Sequence, residues 1–150
     1  MTDVRPALTS VLCYRDPRAA IAWLERAFGF ELHMLIEGPE GRLLHVEMRL
    51  GESLLMVGQE WTENHRSPAS LGGKNTQSVH IQLTSDLDAH CARARAAGAE
   101  ILVEPATQPY GDRTYHCRDL EGHVWTVGQT VQEMTRADHE ASGVKVLAWP

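Results

Sequence analysis

Apolar and polar positions along this chain follow two alternating periods, and each change of period marks an element. From Ala7 to Tyr14 the residues are apolar and β-prone, which predicts a strand. Asp16-Pro17 then starts a helix, with Asp16 placed to cap and proline tolerated at the first helical position. Ala20, Ile21, Leu24, Ala27 and Phe28 recur at the spacing of one helix face, while Arg18, Glu25 and Arg26 fall elsewhere. Gly29 supplies the left-handed residue that ends helices, and Phe30 follows where a closing apolar contact is expected. Three strands are predicted next: Phe30 to Glu37, Arg42 to Leu50 and Ser53 to Val57. They are separated by the turns Gly38-Pro39-Glu40-Gly41 and Gly51-Glu52.

After a Ser-, Gly-, Asn- and Gln-rich connector the order repeats. Ser78 to Thr84 reads as a strand, and Ser85 or Asp86 caps a helix, with Asp88 completing a capping box with Ser85. Gly98 ends the helix, and Ala99 to Val103, Arg113 to Arg118 and His123 to Gly128 are strand candidates. Laying Gly29 on Gly98, an offset of 69, also lays Asp16 on Ser85 and Phe30-Glu31-Leu32 on Ala99-Glu100-Ile101. This is an internal β-α-β-β-β repeat. The expected organisation is one domain over 1–150: module one 7–58, connector 59–77, module two 78–129 and tail 130–150. In the tail, Val131 to Ala141 predicts a polar helix and Val144 to Trp149 an apolar closing segment.

Composition removes several function classes. Apolar residues at 43% and charged residues at 23% fit a globular chain. The net charge of -6, with basic residues unclustered, excludes a nucleic-acid partner. Apolar runs such as Leu54 to Val57 are far too short to span a membrane, and the N-terminus has no apolar signal segment, so a cytoplasmic location is expected. Cys13, Cys91 and Cys117 form no C-x-x-C pair and read as buried free thiols.

The paired modules, the segment Tyr110-Gly111-Asp112-Arg113, and above all Asp119-Leu120-Glu121-Gly122-His123-Val124-Trp125-Thr126-Val127 carry a resemblance. The chain resembles the vicinal oxygen chelate superfamily of glyoxalases, bleomycin-resistance proteins and extradiol dioxygenases, and within it the phosphonate-operon B-type branch. The likeness covers about residues 7 to 129. It implies an α+β fold in which two modules form an incomplete cupped barrel, a divalent metal in the cup of active members, and pairing as a homodimer. Four side chains, usually His and Glu, hold that metal, since such a dication prefers imidazole nitrogen and carboxylate oxygen. The resemblance places these positions at Thr9, Met56, His80 and Thr126, so His80 alone is retained and no metal site of the usual kind is expected.

Alternation adds a neighbour to His80. Val79, Ile81 and Leu83 form an apolar row suited to the helices, which turns Ser78, His80 and Gln82 into the cup. The same rule turns Thr126 inward and Trp125 and Val127 onto helix. The expected ligand pocket is therefore Thr9, Met56, His80, Gln82 and Thr126, with His80 the candidate catalytic residue. His80 taken without the family reads first as a satisfied core histidine, and the family position sets the ligand reading level with it. His45 with Glu47, His116 and His123 offer a displaced metal site or plain strand residues. Arg113 offers a partner for a substrate oxyanion or an exposed turn residue. Trp61 offers a lid over the cup or an aromatic pinning its loop. Cys13 and Cys117 lack a visible activating base for nucleophilic work. Two functions follow: metal-independent binding of a small organic molecule in the cup, or a glyoxalase-type lyase, epimerase or dioxygenase using a relocated divalent metal or His80 as acid or base.

Overall fold

A computed structural model describes residues 5–150. The first module runs β1 (Ser10–Tyr14), α1 (Pro17–Phe28), β2 (Glu31–Glu37), β3 (Leu43–Leu50) and β4 (Ser53–Gln59). The second runs β5 (Ser78–Leu83), α2 (Leu87–Ala96), β6 (Glu100–Thr107), β7 (Asp112–Arg118) and β8 (Val124–Thr130). A short helix α3 (Arg136–Ala141) follows. Each module makes one four-stranded sheet, in the orders β1-β4-β3-β2 and β5-β8-β7-β6. The first strand of each module pairs in parallel with the last, and the remaining pairs are antiparallel. No strand is shared between the sheets, so the barrel stays open.

Period-two alternation gives each sheet an inner and an outer face. Leu12, Tyr14, Val46, Met48, Leu55 and Val57 are buried on the first inner face, and Ile81, Tyr115, Cys117, Trp125 and Val127 on the second. Both faces join α1 and α2 in one apolar cluster. Burial of each large apolar side chain contributes about 1.5–3 kcal/mol, which far outweighs helix propensity in holding α1. At its end Phe28 meets Trp125 with ring centroids 4.9 Å apart and stacks on His90 at 5.5 Å, so a first-module helix is keyed into the second sheet.

The helices also exchange caps. Trp23 Nε1 donates to the Ala97 carbonyl at 2.8 Å, just past the end of α2. Arg93 of α2 donates to the Arg26 and Glu25 carbonyls at 2.8 and 3.0 Å, satisfying the end of α1. Gly29, at φ +75°, makes the left-handed turn, and a Cβ there would lie 3.1 Å from the Arg93 guanidinium.

The Asp119-x-Glu121-Gly122-His123 motif clamps the modules together. Asp119 accepts hydrogen bonds from Tyr14 Oη at 2.6 Å, Trp125 Nε1 at 3.1 Å, and the Glu121 and His123 amides at 3.0 Å. Glu121 accepts from the amides of Arg15 and Asp16 at 2.7 and 2.9 Å and from Ser67 Oγ at 2.6 Å. His123 Nε2 donates to the Cys13 carbonyl at 2.7 Å. Burial, with the Asp119 charge beside it, holds the Tyr14 phenol well above its usual range, so it remains a donor.

Four expectations need correction. The Ser85 and Asp88 capping box does not form: Asp86 is the cap, at φ 59° and without a side-chain cap bond, and Asp88 pairs with Arg113 instead. In its place Gln129 Oε1 of β8 accepts the Leu87 amide at 3.0 Å. Arg113 is therefore spent on Asp88 and Thr107 rather than free for an oxyanion. The tail helix is confined to Arg136–Ala141, opened by a Thr135 and Asp138 capping box, because the chain before it is held by bonds from the Val131 and Gln132 amides to the Gly111 carbonyl. Val144 to Trp149 forms no regular element and is not a buried closing segment: Val144 and Leu147 are exposed, while Trp149 rests against His139 of α3 with ring centroids 5.3 Å apart and the Val146 carbonyl accepts from Arg136 at 3.0 Å.

Candidate functional site

The outer faces carry the candidate chemistry. On β5 and β8, His80 stands opposite Thr126 in the parallel register, and Gln82 opposite Gly128. His80 Nδ1 lies 2.8 Å from Thr126 Oγ1 and its Nε2 2.8 Å from Gln82 Oε1, while Gln82 Nε2 lies 3.3 Å from Thr130 Oγ1. The amide oxygen can only accept, so Nε2 carries the proton and Nδ1 accepts from Thr126. The result is a directional ledge: Thr126 donates to His80, His80 to Gln82, Gln82 to Thr130. Gly128 makes it possible, since a Cβ there would lie 3.1 Å from His80 Cε1 and 3.2 Å from Gln82 Oε1. That glycine requirement is invisible without the register.

Two cavities distribute the expected pocket residues. His80 and Gln82 line one of about 650 Å³ between the second sheet's edge and the first module, with Leu8, Phe28 and Leu54 among its apolar walls. Met56 lines another, of about 350 Å³, on the first sheet's outer face with Val11, Leu44, His45 and Trp61. Thr126 joins the first group through its bond to His80. Thr9 is half-buried just ahead of β1 and lines neither cavity.

The other candidates sort clearly. Glu47 is 1% exposed on β3, and its Oε1 lies 2.8 Å from His45 Nε2 and 3.2 Å from Arg5. The His45 hydrogen bond, aided by Arg5, holds its carboxyl below the usual carboxylate range. The spacing of two residues along one strand was the sequence signal for this pair; its burial was not readable. Trp61 is 65% exposed and rests against His65, ring centroids 4.5 Å apart, so it pins its own turn and also walls the 350 Å³ cavity. Burial pushes the Cys13 thiol up and the Cys117 thiol up to about 12, so neither is a poised nucleophile.

The donor set does not suit the family's metal. Thr9 and Thr126 offer hydroxyls, Met56 a thioether, and His80 spends both nitrogens on Thr126 and Gln82. Among the described residues no three His, Cys, Asp or Glu side chains are grouped to hold a metal ion. Among the same residues no helix is long and apolar enough to cross a membrane.

Comparison with known proteins agrees with this architecture. An uncharacterized protein of Mycobacterium tuberculosis is 31% identical over 144 residues, covering 93% of this chain and 84% of the relative. The crystal structure of TioX from Micromonospora sp. ML1 is 34% identical, covers 83% of this chain and 98% of its own, and superposes with a TM-score of 0.67. TnmS3, an antibiotic binding protein from Streptomyces sp. CB03234, shares the fold at 20% identity with a TM-score of 0.65, covering 87% of this chain and 98% of its own. Residues 7–127 match the family model of the Glyoxalase/Bleomycin resistance protein/Dioxygenase superfamily, and the chain belongs to that family.

Proposed function

We propose that this protein binds a small organic molecule at the His80, Gln82 and Thr126 ledge, without the family's metal and as a homodimer. The observation that carries the reading is the directional ledge itself: both nitrogens of His80 are engaged in a chain that orients hydrogen-bonding groups and leaves no lone pair for a metal. The adjoining 650 Å³ cavity supplies the apolar walls that small-molecule sites use for affinity, with a few polar groups setting orientation. TnmS3, which shares the fold, is an antibiotic binding protein, and that supports an organic ligand class. Pairing is supported by the edge strands β1 and β5, which end their sheets, and by the exposed Leu8, Leu44 and Trp61.

Thermal-shift screening of the wild type and His80→Gln tests the binding. Glutamine cannot reproduce both imidazole bonds, so Thr126 and Gln82 lose the orientation in which they meet the ligand, and affinity for a stabilising compound is expected to fall by about 1 kcal/mol, one ordinary hydrogen bond, with the fold retained. An unchanged affinity with a lowered melting temperature would give His80 a structural role instead. Elemental analysis after incubation with divalent metals and gel filtration is expected to show far less than one ion per chain. Light scattering should return a dimer mass at micromolar concentration, and a monomer would refute the pairing.

A further inference from the structure

The connector between β4 and β5 covers chemistry that the His80 ledge does not use. Where it passes Cys13 of β1 and His123, the residue before β8, it encloses a cavity of about 180 Å³. That is smaller than the roughly 300 Å³ at which sites for drug-sized molecules begin, and it suits a small ion better. Its charged wall has one sign: Lys74 and Arg66 line it with His65 and His123, and no Asp or Glu does. In a chain of net charge -6 such a wall is the exception, and it favours an anion. The acids nearby are engaged elsewhere. Glu60 accepts from Arg66 Nε at 3.3 Å and from the Ser67 amide at 2.7 Å, while Asp119 and Glu121 serve the clamp between the modules. The Lys74 ammonium makes no ion pair or hydrogen bond with any described residue, and Arg66 keeps both Nη groups as donors.

One nitrogen makes this cavity selective. His123 is 7% exposed, and its Nε2 lies 2.7 Å from the Cys13 carbonyl, which can only accept, so the ring hydrogen sits on Nε2. Nδ1 is thereby an acceptor. It has no partner among the described residues, it is not closed off from solvent, and the ring lines this cavity. An anion that only accepts would leave that lone pair unmet, whereas one that carries a hydroxyl would meet it. From this we infer an oxyanion site beneath the connector that takes hydrogen phosphate in preference to sulfate, an ion of the same shape and charge without the proton. The phosphate oxygens accept from Lys74 and Arg66, and the P–O–H donates to His123 Nδ1. Lys74 and Arg66 belong to the connector and His123 to module two, so the bound ion ties the two together.

The probes are inorganic phosphate and sulfate, titrated calorimetrically into the full chain at pH 8 and matched ionic strength. Wild type is expected to bind phosphate at least about fivefold more tightly than sulfate, the worth of one hydrogen bond. Lys74→Ala should weaken both ions together, while Lys145→Ala, which removes a lysine of the tail, should change neither. His123→Gln keeps an N–H for the Cys13 carbonyl and removes the Nδ1 acceptor, so it should abolish the preference. Nitrogen-15 NMR of the wild-type histidines, which needs no variant to fold, should show His123 protonated at Nε2 and its Nδ1 resonance shifted by phosphate and not by sulfate. His80→Gln should leave every one of these readings unchanged, which separates this site from the ledge. Equal binding of the two ions, no binding of either, a preference that survives His123→Gln, or equal losses in Lys74→Ala and Lys145→Ala would overturn the site.

Discussion

The two modules repeat one frame and differ in how they complete it. Each has a helix after its first strand and a parallel pairing of first and last strands. In module one the helix buries seven residues, among them Trp23, Leu24 and Phe28, and Asp16 caps its own helix by accepting from the Ala19 amide at 3.1 Å. In module two the helix buries only Leu87, Cys91 and Ala94, the side chain of its cap residue accepts from no helix amide, and Gln129 of β8 does that work. The second helix depends on its sheet where the first depends on its own sequence. The outer faces diverge further: a buried acid and its histidine beside a cavity of mixed polar and apolar lining in one, an exposed chain of hydrogen bonds in the other. A repeat thus keeps what folding requires, the inner faces, and is free to vary what lies outside.

The strongest way to break the comparison is to remove the clamp that joins the modules. Asp119→Ala strands the Tyr14 hydroxyl, the Trp125 indole N–H and two backbone amides in a buried place. A loss of about 3–5 kcal/mol is expected in denaturant unfolding, with both modules melting together. A loss under about 1 kcal/mol would mean that the modules are held by apolar contact alone.

The helix caps sharpen it at a smaller scale. Asp16→Ala should cost about 1 kcal/mol, since a satisfied cap is removed, whereas Asp86→Gly, which removes the side chain and suits the left-handed φ of 59°, should cost clearly less. Gln129→Ala, in another element altogether, should match Asp16→Ala because it leaves the Leu87 amide without its acceptor. Equal costs at Asp16 and Asp86 would erase the distinction.

The smallest effect is read by pH. His90 of α2 is held below its ordinary range by burial, so its contribution is complete above about pH 6.5 and is lost as the pH falls from there. Glu47 of module one is held below its ordinary range by His45, so its contribution is complete above the usual carboxylate range and is lost as the pH falls through its lowered value. Melting temperature should therefore begin to fall below about pH 6.5 and fall again below about pH 4.3. His90→Gln should remove the first decline and Glu47→Gln reduce the second. A flat profile from pH 7 to 5 would remove His90 from this account.

Much of the frame is legible in local sequence, because local physics decides it. Asp16-Pro17 starts α1 and Gly29 ends it, the offset of 69 announces the repeat, and alternation puts Trp125 and Val127 on the helix-packed face and His80, Gln82 and Thr126 together on the opposite one. These depend on backbone dihedrals and on which face of an element is apolar, both set within a few residues. What depends on partners far along the chain was not legible. Ser85 and Asp88 have the spacing of a capping box, yet Arg113 takes Asp88 from 25 residues away. The Asp119 motif pointed to a family, but that it ties Tyr14 to Trp125 required β1 and β8 to meet. Glu47 alternates like any exposed strand residue, and its burial beside His45 and Arg5 was decided by the sheet. Sequence alone determined the elements and their inward faces; tertiary structure decided which polar groups meet, because a hydrogen bond needs two groups within about 3 Å, and only the folded chain brings distant residues that close.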